Sequence, residues 1–201
     1  MSDPGLEPFL TPSLTAIGVA RSAQVLHHEA PRQSGLGRGA SVEIELFPGA
    51  HNGLQDLEGF SHVWLLFWCH HARGRPVQVQ PPRDAKKRGV FATRSPQRPN
   101  PIGLSCVRLE AIVKRTLRVS DCDLLDGTPV LDIKPYLAYC DSVPDARHGY
   151  VEQLSGTRGD HREWWRERGI APPARYRRRL RAEGCGDGGG DGEGFGGGQV
   201  R

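Results

Sequence analysis

No apolar run in this sequence is long: the longest, Val63 to Cys69, falls far short of the about 20 residues that a membrane-spanning helix requires. Cysteines are few, and none of the five (Cys69, Cys106, Cys122, Cys140 and Cys185) stands in a Cys-x-x-Cys pair. An odd number without that spacing, and no secretory leader over Met1 to Leu10, predict free thiols in a reducing, cytoplasmic setting. A dinucleotide loop is missing too. Gly35, Gly37 and Gly39 are not spaced as G-x-G-x-x-G, and the segment after them reads as a strand, so a Rossmann-type nucleotide site is excluded. Nor is there a strong charge of one sign. The 201 residues carry 27 Lys and Arg against 23 Asp and Glu, a formal charge of +4, which permits a polyanionic partner without demanding one.

What is present is a series of strands without amphipathic helices between them. Thr15 to Ala20 is short and apolar. Ser41 to Phe47 alternates strictly, with Val42, Ile44 and Leu46 on one face and Glu43 and Glu45 on the other, the mark of a half-buried strand. His62 to Cys69 is continuously apolar and is predicted to be a core strand buried on both faces. Val77 and Val79 alternate with glutamines. Ser105 to Val113, Thr116 to Val119 and Pro129 to Lys134 follow, with turn residues such as Asp126-Gly127 between them. About seven strands with no crossover helix predict a mainly β fold, a single barrel of short mixed or antiparallel strands. The organisation expected is a loose lead-in over residues 1–14, a barrel over 15–143, an arginine-rich helical extension over 144–183 and a disordered glycine-rich tail over 184–201. Asp160 and Glu163 have capping-box spacing, and eight arginines lie between Arg162 and Arg181.

One stretch stands apart. Gly89 to Leu104 reads Gly-Val-Phe-Ala-Thr-Arg-Ser-Pro-Gln-Arg-Pro-Asn-Pro-Ile-Gly-Leu. A short apolar strand over Val90 to Ala92 is expected to run into a segment where Pro96, Pro99 and Pro101 each fix φ and remove a donor, which predicts a stiff, extended loop. It carries Arg94 and Arg98, the hydroxyls of Thr93 and Ser95, and the amides of Gln97 and Asn100. Guanidinium is the planar, bidentate reader of carboxylate and phosphate, so this loop is built to grip an anionic group.

The same stretch resembles the signature of the TrmO/TsaA-like tRNA methyltransferases. Three more blocks resemble that family in its order: Pro31-Arg32-Gln33, Leu57 to His70, and Asp123 to Tyr136. The resemblance implies a β-barrel that binds S-adenosyl-L-methionine and methylates N6 of threonylcarbamoyl-adenosine at position 37 of tRNA, next to the anticodon. It implies a donor pocket lined by Pro31, Arg32, Gln33, His70, His71, Arg94, Leu104, Asp126, Gly127, Thr128 and Pro129. Within it Arg94 or Arg32 suits the donor carboxylate, Asp126 or backbone carbonyls its ammonium, and Leu104 the adenine face. A base for the acceptor nitrogen would come from His70, Tyr139 or Asp141. Arg98, Asn100, Lys86 and Lys87 are the expected tRNA contacts. The arginine-rich end either tracks phosphates or forms a solvated face with Trp164 and Trp165 packed on the barrel. Neighbouring residues of a strand point to opposite faces, so only one of His70 and His71 is expected to face any one site, and no metal is expected. A homodimer with sites near the subunit boundary is expected as well. The rival reading is a non-catalytic RNA- or nucleotide-binding barrel.

Overall fold

The computed structural model describes residues 13–25, 30–36, 40–81 and 84–154. The glycine-rich tail, the capping box at Asp160, the arginine-rich helices, and His27 and His28 lie outside them. The described strands are β1 (Gly18–Ser22), β2 (Val42–Leu46), β3 (His62–Trp68), β4 (Gln78–Val79), β5 (Arg88–Gly89), β6 (Ile102–Val113), β7 (Thr116–Ser120) and β8 (Pro129–Pro135), and one four-residue helix, α1, spans Ala138–Asp141. Six strands close in the order β1-β2-β7-β6-β3-β8, while β4 and β5 pair separately. Every pairing is antiparallel, so of the two arrangements expected, mixed or antiparallel, the barrel takes the second. No helix of the described residues is long and apolar enough to cross a membrane.

Alternation builds the core. Ala20 from β1, Val42, Ile44 and Leu46 from β2, Val63 and Leu65 from β3, Val107 from β6, Leu117 and Val119 from β7 and Val130 from β8 converge inside the barrel. Each fully buried Val, Leu or Ile contributes roughly 1.5–3 kcal/mol relative to exposure. On the outside of β2 the alternate residues meet cations across the strands, with Glu43 bound by Arg118 at 3.1 Å and Glu45 by Arg21 at 3.4 Å. Such exposed pairs are worth at most about 1 kcal/mol each. They favour the register more than they hold the fold.

Three expectations are corrected. Val90–Ala92 is a 3-10 turn: Val90 N still donates across to Val77 O at 2.9 Å, but Thr93 N then donates back to Val90 O at 3.0 Å, which turns the chain with Val90 alone of the three buried. β6 starts at Ile102 rather than Ser105 and runs for 12 residues, because nothing after Pro101 lacks a donor. β3 is not buried on both faces: Val63 and Leu65 enter the core with Phe67 packed against it, whereas Trp64, Leu66 and Trp68 point outward. On that outer face they stand opposite Cys106, Leu104 and Ile102, giving an apolar surface on which Leu104 is 56% and Ile102 38% exposed.

Two glycines are required by close approach. A Cβ on Gly18 would lie 2.6 Å from Glu45 O across the β1–β2 pair, and one on Gly103 would lie 2.2 Å from the ring of Phe67. The Phe67 ring covers the gap that Gly103 leaves, on the inward face where β3 and β6 pair.

Candidate active site at one end of the barrel

Antiparallel closure sorts the loops. The registers Ser22 with Val42, Val42 with Val119, Trp68 with Ile102 and Phe67 with Val130 put the ends of β1, β3 and β7 and the starts of β2, β6 and β8 at one end. Residues 23–41, 69–101 and 121–128 therefore connect at that end. They carry Pro31, Arg32 and Gln33, then His70, His71 and Arg94, then Asp126, Gly127 and Thr128, with Pro129 opening β8.

The proline loop is held by its own polar groups. Thr93 Oγ1 donates to Val90 O at 2.9 Å and accepts from Ser95 N, whose own Oγ accepts from Gln97 N. Both hydroxyls thus shape the loop, although the sequence offered them as gripping groups. Arg98 Nη1 donates to Thr93 O at 3.3 Å, and Cys69 N donates to Pro101 O at 2.7 Å, tying the loop's exit to the end of β3. Arg94 is exposed and donates from Nη1 to Gln33 Oε1, so two of the separated blocks touch directly.

His70 and His71 lie in a turn beyond β3, not on the strand. Their rings stack at 3.9 Å between centroids. The strand rule of opposite faces therefore does not apply, and both imidazoles are on one side. Burial, and then the neighbouring His71, push the His70 pKa below its ordinary value against the pull of Asp126, which keeps the imidazole neutral and able to accept a proton at neutral pH. Asp126 Oδ1 accepts from Ser22 N at 3.1 Å, and the Asp126 and Gly127 N–H groups donate to Gln24 O and Ala20 O. Gly127, at φ 73°, makes the turn. Thr128 is buried and its carbonyl accepts from Ala20 N, so this loop is a fixed wall.

Tyr139 and Asp141 are elsewhere. Both follow β8, whose last residues pair with the start of β3, and Asp141 Oδ2 accepts from Trp64 Nε1 at 3.1 Å and Leu137 N at 2.9 Å. Those bonds, from Leu137 first and then Trp64, hold its carboxyl below the usual range. Tyr139 is 86% exposed on the same helix. The length of β3 from His62 to Trp68, roughly 20 Å at about 3.3 Å per residue, separates that end from the turn that holds His70. Within one chain the three candidate bases are not brought together. Leu104 projects from the outer face of β6, beside the site end rather than inside it.

Lys86 and Lys87 are exposed in the β4–β5 connection, which Asp84 organises: its carboxylate accepts from Lys86 N at 3.0 Å and from Arg88 Nε at 2.7 Å. The Arg88 guanidinium in turn lies 4.3 Å above the ring of Tyr150. Asn100 is exposed at the far end of the proline loop.

Two features were not anticipated. Phe91 is 79% exposed on its 3-10 turn, between Lys87 and Arg94 in the chain. Asp123 is partly buried and accepts from Ser105 Oγ at 2.6 Å and from the backbone N–H of Ser34. Its signal was Ser105, a hydroxyl in the inward register of β6, which must find a partner when buried.

The family described as tRNA-methyltransferase O N-terminal domain matches residues 19–142. A tRNA (adenine(37)-N6)-methyltransferase of Escherichia coli strain K12 is 43% identical over 146 residues, covering 68% of this chain and 62% of that protein. An S-adenosyl-L-methionine-binding protein of Archaeoglobus fulgidus is 41% identical over 130 residues, covering 65% of this chain and 93% of that protein. The crystal structure of TrmO from Pseudomonas aeruginosa matches with a TM-score of 0.59 and 46% identity, covering 70% of this chain and 62% of that one. The chain therefore spans less than two thirds of the Escherichia coli and Pseudomonas relatives. With the matched segment coinciding with the barrel and carrying every loop at its site end, the chain belongs to the tRNA-methyltransferase O N-terminal domain family.

Proposed function

We propose that this chain is an S-adenosyl-L-methionine-dependent tRNA methyltransferase acting on N6 of adenosine 37, with threonylcarbamoyl-adenosine as its acceptor. The observation that carries the reading is the convergence of separated loops at one barrel end, with Arg94 bonded to Gln33 and His70 beside Asp126. The donor set fits the methyl donor: a guanidinium suits its carboxylate, Asp126 and the loop carbonyls suit its ammonium, and the neutral imidazole of His70 tolerates its sulfonium. When bound, S-adenosyl-L-methionine supplies a methyl group on a sulfonium, open to in-line displacement.

The protein's part is alignment and proton handling. Arg94 and the Asp126–Pro129 wall hold and orient the donor, and alignment of this kind supplies most of the rate in a direct transfer. Neutral His70 is the base we favour, because it alone of the three candidates lies at this end. It would take the proton from the acceptor nitrogen at an imidazole nitrogen.

The acceptor side is basic and aromatic. Lys86, Lys87, Arg98 and Asn100 would meet the tRNA backbone, and Phe91 offers a ring on which an unstacked base can lie. Stacking of this kind is worth about 1–3 kcal/mol per base, so Phe91→Ala is expected to weaken tRNA binding by about that amount in a filter-binding assay while leaving donor affinity unchanged. A loss of donor affinity instead would move Phe91 to the donor site.

The outer apolar face of β3 and β6 supports a second copy of the chain. Leu104 lies on that face next to the site loops, so a partner covering it would also close the donor site against water. Sedimentation at micromolar concentration checks the homodimer. Calorimetry with S-adenosyl-L-methionine, followed by methyl transfer to unmodified and threonylcarbamoylated tRNA, tests the activity and its acceptor. No heat of donor binding would leave the non-catalytic barrel.

A further inference from the structure

The Asp123 carboxylate touches more of the site's parts than any group assigned to it above, yet the mechanism gives it no task. It follows β7, accepts from Ser105 Oγ on β6 at 2.6 Å and from the N–H of Ser34, feels the charge of Arg94, and in turn helps raise the thiol pKa of Cys69 at the end of β3. The chain around it is drawn in as well: Gly35 N donates to Asp121 O at 3.1 Å, and Asp121 itself holds φ at 56°. Ser34 follows Gln33, and Gln33 Oε1 receives Arg94. A serine hydroxyl and a backbone amide facing one oxyanion, with a guanidinium nearby, make a preorganised seat for negative charge.

Resting on the reading that the donor binds at this barrel end, we propose that Asp123 is a positioning residue for donor binding: its carboxylate pins the Gln33–Ser34 segment to β6 and, by charge, keeps Arg94 where Gln33 can hold it. Asp123 acts through Arg94 and Gln33, not on the reacting atoms. Its charge is the working part, since an amide of the same shape keeps one acceptor oxygen, enough for the Ser105 bond, but does not attract a guanidinium. Losing that charge loosens the clamp on the donor and leaves the transfer step alone.

A pH dependence follows. Burial raises the Asp123 carboxyl above its ordinary value, opposed by Ser105, Ser34 and Arg94. As pH falls through that raised value the carboxylate is protonated and the clamp weakens, so donor affinity should drop at a pH higher than the one at which an ordinary aspartate is protonated. The other groups facing it are distinguishable. Cys69 and Cys122 are pushed up to about 11 and about 12 and stay protonated, and His70, beside His71, titrates below its ordinary value.

The test is donor affinity against pH for the full chain, with transfer kinetics, in wild type, Asp123→Asn and Ser105→Ala. In Asp123→Asn, donor Kd and KM should rise about tenfold with kcat within about twofold, and the acid decline should shrink to the part that His70 contributes. Ser105→Ala removes a bond that favours the charged form, so its acid decline should move to higher pH; this variant serves even if Asp123→Asn fails to fold. A folded Asp123→Asn with wild-type Kd and an unchanged acid decline overturns the proposal, as does a Ser105→Ala profile that does not move. Failure of wild type to bind S-adenosyl-L-methionine at all would overturn the functional reading first, and this inference with it.

Discussion

Arg94→Ala should weaken S-adenosyl-L-methionine binding by about 1.5–3 kcal/mol, the range for hydrogen bonds to a charged group, or roughly ten- to a hundredfold in Kd. The side chain is exposed and is held by a bond to Gln33 Oε1, so its removal costs little stability and the effect should be confined to ligand binding. Calorimetry on a variant with an unchanged melting temperature checks this. Arg94→Lys should recover only part of the loss, because an ammonium cannot make the two parallel bonds that a guanidinium makes to a carboxylate. Unchanged donor affinity in folded Arg94→Ala would reassign the residue to RNA binding or to loop structure. Arg98 is a useful contrast. Its guanidinium is engaged with Thr93 O inside the loop, so Arg98→Ala should disturb tRNA binding and loop order more than donor affinity.

Gly18→Ala is expected to destabilise the barrel by about 3 kcal/mol, the upper part of what overpacking usually costs. The added methyl would meet Glu45 O at 2.6 Å and the Leu46 Cα at 3.0 Å. Both are backbone atoms in the strand that β1 pairs with, over the register Gly18 with Leu46, so relief requires β1 and β2 to separate along the pairing that closes the barrel. Gly103→Ala offers the comparison. Its Cβ would be closer still to its neighbour, at 2.2 Å, but the neighbour is the far end of the Phe67 ring, which can turn away. Gly103→Ala should therefore be the milder of the two in thermal or urea unfolding, despite the shorter contact. Equal losses would mean that the Phe67 ring is as immovable as backbone. Because Gly103 is the second residue of β6, just after the proline loop, its variant should also show the larger effect on donor binding per unit of stability lost.

Strand positions were legible where one face alone is buried. Val42, Ile44 and Leu46 alternate with Glu43 and Glu45, and only a strand with its odd and even residues in different media explains that pattern, as β2 confirms. The absence of amphipathic helices excluded an α/β sheet for the same reason: crossovers need helices to cover both faces. The rigid proline loop was legible because φ restriction and donor loss are properties of single residues. The family itself was legible from short blocks read in order, and the barrel fold followed.

Other features depended on through-space neighbours and could not be read from local pattern. A continuous apolar run such as Val63 to Cys69 has no periodicity to say which side is core, so the outward Trp64, Leu66 and Trp68 emerged only when β6 and β8 were seen beside β3. Val90 to Ala92 has strand composition, but with Thr93 N bonded back to Val90 O the chain turns there. His70 and His71 could stack only because β3 stops at Trp68. Asp141 read as a possible base, and nothing local said that Trp64 and Leu137 would donate to it at the opposite end of β3 from His70. Asp123 stood in the sequence only as the first residue of the block that ends at Tyr136. Its charge gained a role only when antiparallel closure brought Ser34, Arg94 and Ser105, all distant in the chain, to the same end of the barrel, because the sum of neighbours around a buried charge is a property of the fold and of no shorter stretch.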